Sequence, residues 1–129
     1  LEENKTWANK AKLCIGSIKA AVRKDMKESD SPIRLWDHCA ERRAQIDNLT
    51  AFNLFSLHGH NAHFTITGDE GDISSLCCCK WCDWCHFREK KEKLPFTKEQ
   101  LGRVLGPAKG AGNEMHQWIL KANGQVVPR

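Results

Sequence analysis

Long apolar runs are missing from this chain of 129 residues. A membrane-spanning helix needs about 20 consecutive apolar residues, and no segment approaches that length, so we expect no membrane span. The opening stretch Leu1-Glu2-Glu3-Asn4-Lys5 is polar and lacks the basic-then-apolar layout of a secretory signal. An initiating methionine is also absent, which favours a fragment or a processed product of a longer protein.

Complete catalytic motifs are missing as well. The sequence has no P-loop, no Gly-x-Gly-x-x-Gly, no Gly-x-Ser-x-Gly and no His-Glu-x-x-His pattern. Each of these patterns places phosphate-binding, nucleophilic or metal-binding groups at a fixed spacing. We therefore predict that this chain alone carries no complete set of catalytic residues.

A strong excess of one charge is absent too. The net charge is +4, and residues 1–50 and 51–129 each carry 10 basic and 8 acidic residues, so neither half is a charged tail. This balance permits nucleic-acid contact without requiring it. The seven cysteines are an odd number, which argues against a fully paired secreted disulfide framework. We expect an intracellular, reducing compartment, either the nucleus or the cytoplasm.

The first part of the sequence is predicted to be helical. Over residues 5–28 apolar side chains recur every three or four positions, which puts them on one face of a helix. A second helix is predicted at about 32–47, with Ser31 as its N-cap and Pro32 at its first position. A short third helix is predicted at about 51–57.

The second part changes in composition. Glycine, aspartate and serine in residues 58–75 indicate a linker, with one short strand at about 63–67. From residue 76 the pattern is strand-like, and Asn123-Gly124 is the strongest hairpin signal in the chain. Short strands at this spacing favour a small β-barrel, so the predicted fold class is α+β, a helical segment followed by a barrel. The predicted strands are 81–88, 103–105, 116–121 and 125–127.

The densest group of metal-ligand types is Cys77-Cys78-Cys79-Lys80-Trp81-Cys82-Asp83-Trp84-Cys85-His86. Zn²⁺ prefers thiolate and imidazole ligands, and His58, His60 and His63 lie upstream as further candidates. The alternative is that these cysteines are small apolar side chains of a buried strand, whose alternating faces would separate Cys82 from Cys85. The predicted zinc ligands are Cys79, Cys82, Cys85 and His86.

Two sets of charged residues are further candidates for ligand contact. The carboxylates of Asp69, Glu70 and Asp72 suit a hard cation such as Mg²⁺, although a solvated acidic loop is the simpler interpretation. Basic residues of the two long helices are candidates for contact with DNA phosphates, and an ordinary solvated helix surface is the alternative. The predicted DNA contacts are Lys19, Arg23, Lys24, Arg42 and Arg43.

A series of short motifs runs in order through nearly the whole chain. They are Ala20-Ala21-Val22-Arg23-Lys24-Asp25-Met26, Ser31-Pro32, Leu35-Trp36-Asp37-His38-Cys39-Ala40-Glu41-Arg42-Arg43-Ala44, Asn48-Leu49-Thr50, Gly71-Asp72-Ile73-Ser74, Leu76-Cys77, Trp81, Asp83-Trp84-Cys85, Phe87-Arg88-Glu89, Leu101-Gly102-Arg103-Val104-Leu105-Gly106-Pro107 and Asn123-Gly124-Gln125-Val126-Val127. In these motifs and their order the chain resembles the Pol polyproteins of copia-type LTR retrotransposons, of the kind abundant in diatoms and other algae.

The resemblance implies that this region is the end of an integrase. Residues 1–57 would be the last helices of an RNase H-like catalytic core, 58–75 a linker, and 76–129 a small SH3-like β-barrel, the integrase C-terminal domain. The family's enzyme is a Mg²⁺-dependent DNA integrase, a polynucleotidyl transferase in which two Asp and one Glu hold the metal. The implied partners are DNA and the rest of Pol and integrase, or a larger protein complex.

The chain departs from the family at two places. The family's metal-binding Glu lies in a pattern resembling Asn-x-Ala-Glu, which reads Asn9-Lys10-Ala11-Lys12 here, so Lys12 occupies that position and would repel Mg²⁺. Glu2 or Glu3 are the alternatives in another register, and both Asp would lie upstream of residue 1. The second departure is in the cysteine cluster, where relatives tend to have other residues at Cys78, Cys79 and Cys82.

These departures favour a decayed or repurposed copy. We predict a non-catalytic DNA-binding and assembly part of a retrotransposon integrase, with Mg²⁺ implied by the family but not bound by this chain. The alternative is a zinc-binding or structural protein-interaction module within a larger complex, with Zn²⁺ as its cofactor.

Overall fold

The computed structural model describes residues 2–50, 58–89, 99–110 and 116–129. The helices predicted at 5–28 and 32–47 are confirmed, whereas the helix predicted at 51–57 lies outside the described residues. In chain order the helical elements are α1 (Glu2–Ser29), a 3₁₀ turn (Ile33–Leu35), α2 (Trp36–Leu49), α3 (Ala62–Thr67) and α4 (Ser74–Cys77).

Among the described side chains of α1, those between residues 18 and 26 pack on the core. Val22 is buried, and Ile18 and Met26 on the same face are half-buried against it. In the first half, every side chain from residue 11 to residue 17 is exposed, including Leu13 at 73% and Ile15 at 53%. The apolar spacing that predicts the helix therefore continues at Ile15, which the described residues leave exposed.

The turn between α1 and α2 corrects the predicted cap. Ser31 does not cap the following helix, because Pro32 occupies the N-cap position of the 3₁₀ turn with extended backbone (φ −58°, ψ 134°). The Ser31 hydroxyl instead accepts a hydrogen bond from the indole Nε1 of Trp81, at 3.1 Å. This contact ties the end of α1 to the segment that leads into the sheet.

The strand predicted at 63–67 is wrong, because these residues form α3. Asn61 is the N-cap, and its side-chain oxygen accepts from the Phe64 N–H at 2.7 Å. Gly68 ends the helix in the left-handed region, with φ 78°, which glycine adopts without strain. The capping residues at both ends thus outweigh the β-favouring Thr65-Ile66-Thr67 run.

The second part of the chain is an open, four-stranded antiparallel sheet. Its strands are hydrogen bonded in chain order, so helices precede strands in an α+β arrangement, as predicted. The strands are β1 (Trp84–Arg88), β2 (Glu99–Pro107), β3 (Gln117–Leu120) and β4 (Val126–Pro128).

The turns at either end of the sheet differ in how well the sequence predicts them. Between β3 and β4 the predicted hairpin is confirmed, with Gly124 at φ 84° and the Lys121 N–H donating to the Gln125 carbonyl at 2.9 Å. Before β1 the predicted strand is too long. Cys82 has φ 62°, a left-handed conformation that is rare outside glycine, and β1 starts only at Trp84.

Helices and sheet share one apolar core. Leu105 of β2 and Cys39 of α2 are each only 1% exposed, and burying a leucine side chain stabilises a fold by about 1.5–3 kcal/mol. A smaller cluster lies on the other face of the sheet, where Phe87 and Ile119 pack over Gly102. A Cβ atom there would lie 2.9 Å from Phe87 Cε1 and 2.7 Å from Ile119 Cγ2. The main core consists of Val22, Leu35, Cys39, Trp81, Cys82 and Leu105.

Candidate nucleic-acid interface

Four basic side chains line one flank of α1. We call Lys12, Lys19, Arg23 and Lys27 the basic flank; at 100° per residue they fall within about a quarter of the helix circumference. All four are exposed, and no described residue forms an ion pair with any of them. The flank therefore presents positive charge that this part of the chain does not neutralise. It contains two of the predicted DNA contacts, Lys19 and Arg23.

Lys24 lies on the outermost side of α1, away from the core. Its Nζ is 3.9 Å from Oε1 of Glu28, and the two side chains are 72% and 66% exposed. Exposed pairs at this spacing contribute about 0.3–0.5 kcal/mol, so the Lys24 ammonium remains accessible to another anion.

Arg42 is placed differently from the α1 cations. Its Nη2 donates to the backbone carbonyl of Cys79 at 2.9 Å and to that of Leu76 at 3.4 Å. The aliphatic part of the side chain lies along β2, with its carbons 3.3 Å from where a Cβ atom would stand on Gly106. Arg42 thus joins α2 to α4 and to the cysteine segment, and its guanidinium already has two acceptors.

Arg43 lies between acidic side chains of both long helices. Its Nη1 is 3.9 Å from Oδ2 of Asp25, and its Nε is 3.9 Å from Oδ1 of Asp47. The side chain is 34% exposed. The five predicted DNA contacts therefore divide into an accessible group on α1 and two arginines on α2 that are engaged within the chain.

A surface cleft of about 350 Å³ opens on the other side of α1, next to Trp81. Asp25 and Glu28 line it from α1, and Asp83 lines it from the turn before β1. Lys80 and Arg42 also border the cleft, so its charge is mixed. Carboxylates outnumber cations in this cleft, so it repels a polyanion that approaches α1. The basic flank on the opposite side of the helix attracts one.

The structure does not bring the four predicted zinc ligands together. Cys79 and Cys85 pack against the small cluster on one face of the sheet, whereas Cys82 belongs to the main core. His86 follows Cys85 in β1 and is exposed, because successive residues of a strand point to opposite faces. Among the described residues, no three His, Cys, Asp or Glu side chains are grouped to hold a metal ion. Zinc binding stays a prediction.

The seven cysteines are free thiols, and burial keeps several of them protonated. Burial in the main core raises the pKa of the Cys39 thiol to about 11. Burial also raises the pKa of Cys85, and burial together with a hydrogen bond to Cys78 raises the pKa of Cys79. Since the thiolate is the nucleophile and the metal ligand, these three side chains are poor at both tasks near neutral pH.

The acidic and histidine-rich segments have local roles in the described structure. Asp72 accepts hydrogen bonds from the backbone and hydroxyl of Ser74, at 2.8 and 2.5 Å, and these bonds lower the pKa of its carboxyl group. It thereby organises the start of α4. His60 stacks on Phe64 with ring centroids 4.3 Å apart. Asp69 and Glu70 are exposed, and the Mg²⁺ site considered for them stays a prediction.

One pair of side chains was missed by the sequence reasoning. The guanidinium carbon of Arg103 lies 4.2 Å from the ring centroid of Trp84, and the two residues face each other across β1 and β2. Trp84 is nevertheless 63% exposed. The sequence contains one indication that Trp84 is exposed, which is its distance of three positions from Phe87. In a strand, side chains three positions apart point to opposite faces, so burial of Phe87 puts Trp84 on the other face.

Comparison of the chain with protein-family models, with curated proteins and with solved structures finds no match. None of the helices in the described part of the chain is both long and apolar enough to cross a membrane. The candidate interface is thus defined by its own geometry: an accessible basic flank on α1, and an exposed Trp–Arg pair on the sheet.

Proposed function

We propose that this chain is a non-catalytic DNA-binding and assembly module, of the kind that ends a retrotransposon integrase. The observation that carries the proposal is the basic flank, whose cations are exposed and unpaired among the described residues. Lysine and arginine side chains that neutralise phosphates release condensed counterions, which gives affinity without base contacts. Lys24 adds a fifth accessible cation beside this flank.

The shape of α1 supports contact with a long polyanion. Lys19, Arg23 and Lys27 are four residues apart, so their Cα atoms are about 6 Å apart along the helix axis. Residues 11–17 are exposed around the helix, which leaves the approach to this flank open. A row of cations on a projecting helix suits a phosphate backbone better than it suits a compact anion.

The order of the helices and strands along the chain supports the proposed origin from an integrase. Two long helices followed by a small antiparallel sheet agree with the end of an RNase H-like core followed by an SH3-like barrel, which are the finer assignments we propose. Lys12 lies on α1 where the family would place its metal-binding Glu. A lysine there supplies positive charge in place of a Mg²⁺ ligand, which fits binding without strand transfer.

Fluorescence anisotropy with a labelled DNA duplex tests the proposal. We expect binding at low salt that weakens as salt rises, with a log K against log salt slope of about −0.9 per phosphate contact. The triple variant K19Q/R23Q/K27Q should reduce the slope by about 3, since each phosphate contact contributes about 1. Lys109→Gln, an exposed lysine beyond β2, is the matched control. No binding at micromolar protein and low salt would overturn the proposal.

A protein-interaction module is the second candidate. It is favoured by the first half of α1, where Leu13 and Ile15 are 73% and 53% exposed on a helix that continues past the core. Native mass spectrometry of the protein isolated from its source tests this candidate. A stoichiometric partner that the variant L13S/I15S loses would support it, and a monomer without a partner would contradict it.

A further inference from the structure

The outer side of β1 is a free edge of the described sheet. We infer that this edge pairs antiparallel with the same edge of a second copy of the chain, so that two four-stranded sheets join into one. The strand order is β1-β2-β3-β4, and no described strand pairs with the outer side of β1. An edge strand presents backbone N–H and C=O groups that can bind another chain. Self-association of this kind goes beyond the proposed function, because it needs no DNA.

Hydrogen bonding to β2 engages every second residue of β1. The Val104 N–H donates to the Asp83 carbonyl at 2.9 Å, so these two residues face each other as a hydrogen-bonded pair. Hydrogen-bonded and non-hydrogen-bonded pairs alternate along an antiparallel ladder, and the register with β2 is unbroken over the five residues of β1. Cys85 and Phe87 therefore turn their N–H and C=O groups toward β2.

The other three residues of β1 turn these groups outward. The N–H and C=O groups of Trp84, His86 and Arg88 point away from β2, because their positions alternate with the paired ones. Among the described residues, no backbone hydrogen bond joins another segment to them. A two-fold axis at His86 pairs all of these groups with the same groups of a second copy, since such a contact uses one surface on both subunits.

The side chains of β1 suit this register. Centred on His86, the pairing places Trp84 directly opposite Arg88 of the second copy. Trp84 is 63% exposed, with Arg103 of its own chain 4.2 Å from the ring centroid, and a guanidinium beside an indole is attracted by the ring. Arg88 is 66% exposed, and its pairing with Glu99 at 3.2 Å is a surface contact, so it remains accessible. The two-fold axis provides the Trp–Arg contact twice, which favours a second copy over an unrelated strand.

The opposite edge of the sheet is unsuited to such pairing. β4 has only three residues, and one of them is Pro128, which has no N–H to donate. Short length and proline are the features that protect natural edge strands from pairing. β1 has five residues and contains neither proline nor glycine. Of the two edges of the described sheet, one is therefore open to pairing, and a single self-complementary edge gives a closed dimer.

Sedimentation velocity of the full chain tests the inference, from micromolar to near-millimolar concentrations in reducing buffer so that exposed thiols do not crosslink. We expect the sedimentation coefficient of wild type to rise from monomer to dimer. His86→Pro removes one outward N–H from each copy. Proline is tolerated at an edge position whose N–H faces away from the sheet, so the monomer should keep its circular dichroism spectrum. Loss of the two hydrogen bonds should raise the dissociation constant at least about tenfold.

Charge substitutions at Trp84 test the register without touching the backbone. Trp84→Lys places a cation opposite Arg88 of the second copy and should weaken the dimer, because like charges directly opposite each other are unfavourable in a sheet. Trp84→Glu places an opposite charge there and should retain the dimer. Trp36→Ala, at a similarly exposed tryptophan (59%) on α2, is the matched control and should dimerise as wild type does.

Amide hydrogen exchange by NMR at low and high protein concentration locates the contact. The N–H groups of Trp84, His86 and Arg88 should become protected as the concentration rises, whereas those of Cys85 and Phe87 should be protected throughout.

Three results would overturn the inference. The first is a wild-type chain that stays monomeric at every concentration. The second is a dimer that His86→Pro and Trp84→Lys both leave unchanged. The third is protection of the outward N–H groups that does not depend on concentration, because another segment of the same chain would then cover the edge.

Discussion

The guanidinium Nη2 of Arg42 lies 2.9 Å from the backbone carbonyl oxygen of Cys79. The two residues are 37 positions apart, and the bond holds the cysteine segment against α2. Because of it, a side chain predicted to contact DNA has a structural role within the described fold.

Replacing Arg42 by alanine should therefore lower stability. Hydrogen bonds to a charged group contribute about 1.5–3 kcal/mol, so we expect R42A to lower the free energy of unfolding by that amount in urea titrations. Lys19→Ala, on the exposed flank of α1, should change it by less than about 0.5 kcal/mol. The reverse order of the two effects would contradict the structural role of Arg42.

Replacing the two leucines of β2 by alanine should show which of them contributes to the stability of the core. Leu105 is 1% exposed and Leu101 is 49% exposed, although they lie on the same strand. Leu105→Ala should cost about 2–5 kcal/mol, because it removes buried methyl groups and leaves a cavity, and Leu101→Ala should cost far less. Urea midpoints of the two variants measure the difference. Similar losses for both would show that Leu101 is covered in solution.

Glu89 should make stability depend on pH in the acid range. It accepts hydrogen bonds from Lys121 Nζ and, at 2.7 Å, from Arg129 Nη2, and these bonds lower the pKa of its carboxyl group below the ordinary value of 4.5. A depressed folded-state pKa means that the contribution is fully present above pH 4.5 and is lost as the pH falls through the lowered pKa. Urea midpoints from neutral pH downward should decrease, and Glu89→Gln should flatten that decrease. An unchanged slope in the variant would contradict the assignment.

Thiol labelling should distinguish the cysteines by their position. Cys14, Cys77 and Cys78 are exposed, whereas Cys39 is buried. The pKa of Cys39 is about 11 against an ordinary value of 9.0, so its thiolate fraction at neutral pH is about 100-fold lower. Mass spectrometry after a short maleimide pulse should find the exposed three modified, and Cys39 modified only in denaturant. Rapid labelling of Cys39 in the native protein would contradict its place in the core.

Local sequence patterns predict the long helices well, because the spacing of Ile18, Val22 and Met26 is set within one element. They fail where two local preferences compete, as at Thr65-Ile66-Thr67, whose β-favouring side chains predict a strand while Asn61 and Gly68 cap a helix. The hairpin at Asn123-Gly124 is predictable because the turn chemistry itself demands that geometry.

The candidate site is only partly predictable, because accessibility depends on long-range contacts. Lys19 and Arg42 look equivalent in the sequence, yet only Arg42 faces carbonyls brought to it by a segment more than 30 residues away. The Trp84–Arg103 pair depends on strand register. That register is fixed in part by two backbone hydrogen bonds, in which the Cys82 N–H donates to the Val104 carbonyl and the Val104 N–H donates to the Asp83 carbonyl. No short motif specifies these bonds.

Because α1 is one continuous helix, an insertion or deletion affects it differently from a point substitution. The basic flank and the core-facing side share one helix, so a single inserted or deleted residue between Arg23 and Ser29 would rotate the preceding part by about 100°. Such a change would carry Lys19 away from its flank and draw Val22 out of the core at the same time. Point substitutions on the exposed flank leave Val22 in place, so α1 can vary in surface chemistry far more freely than in length.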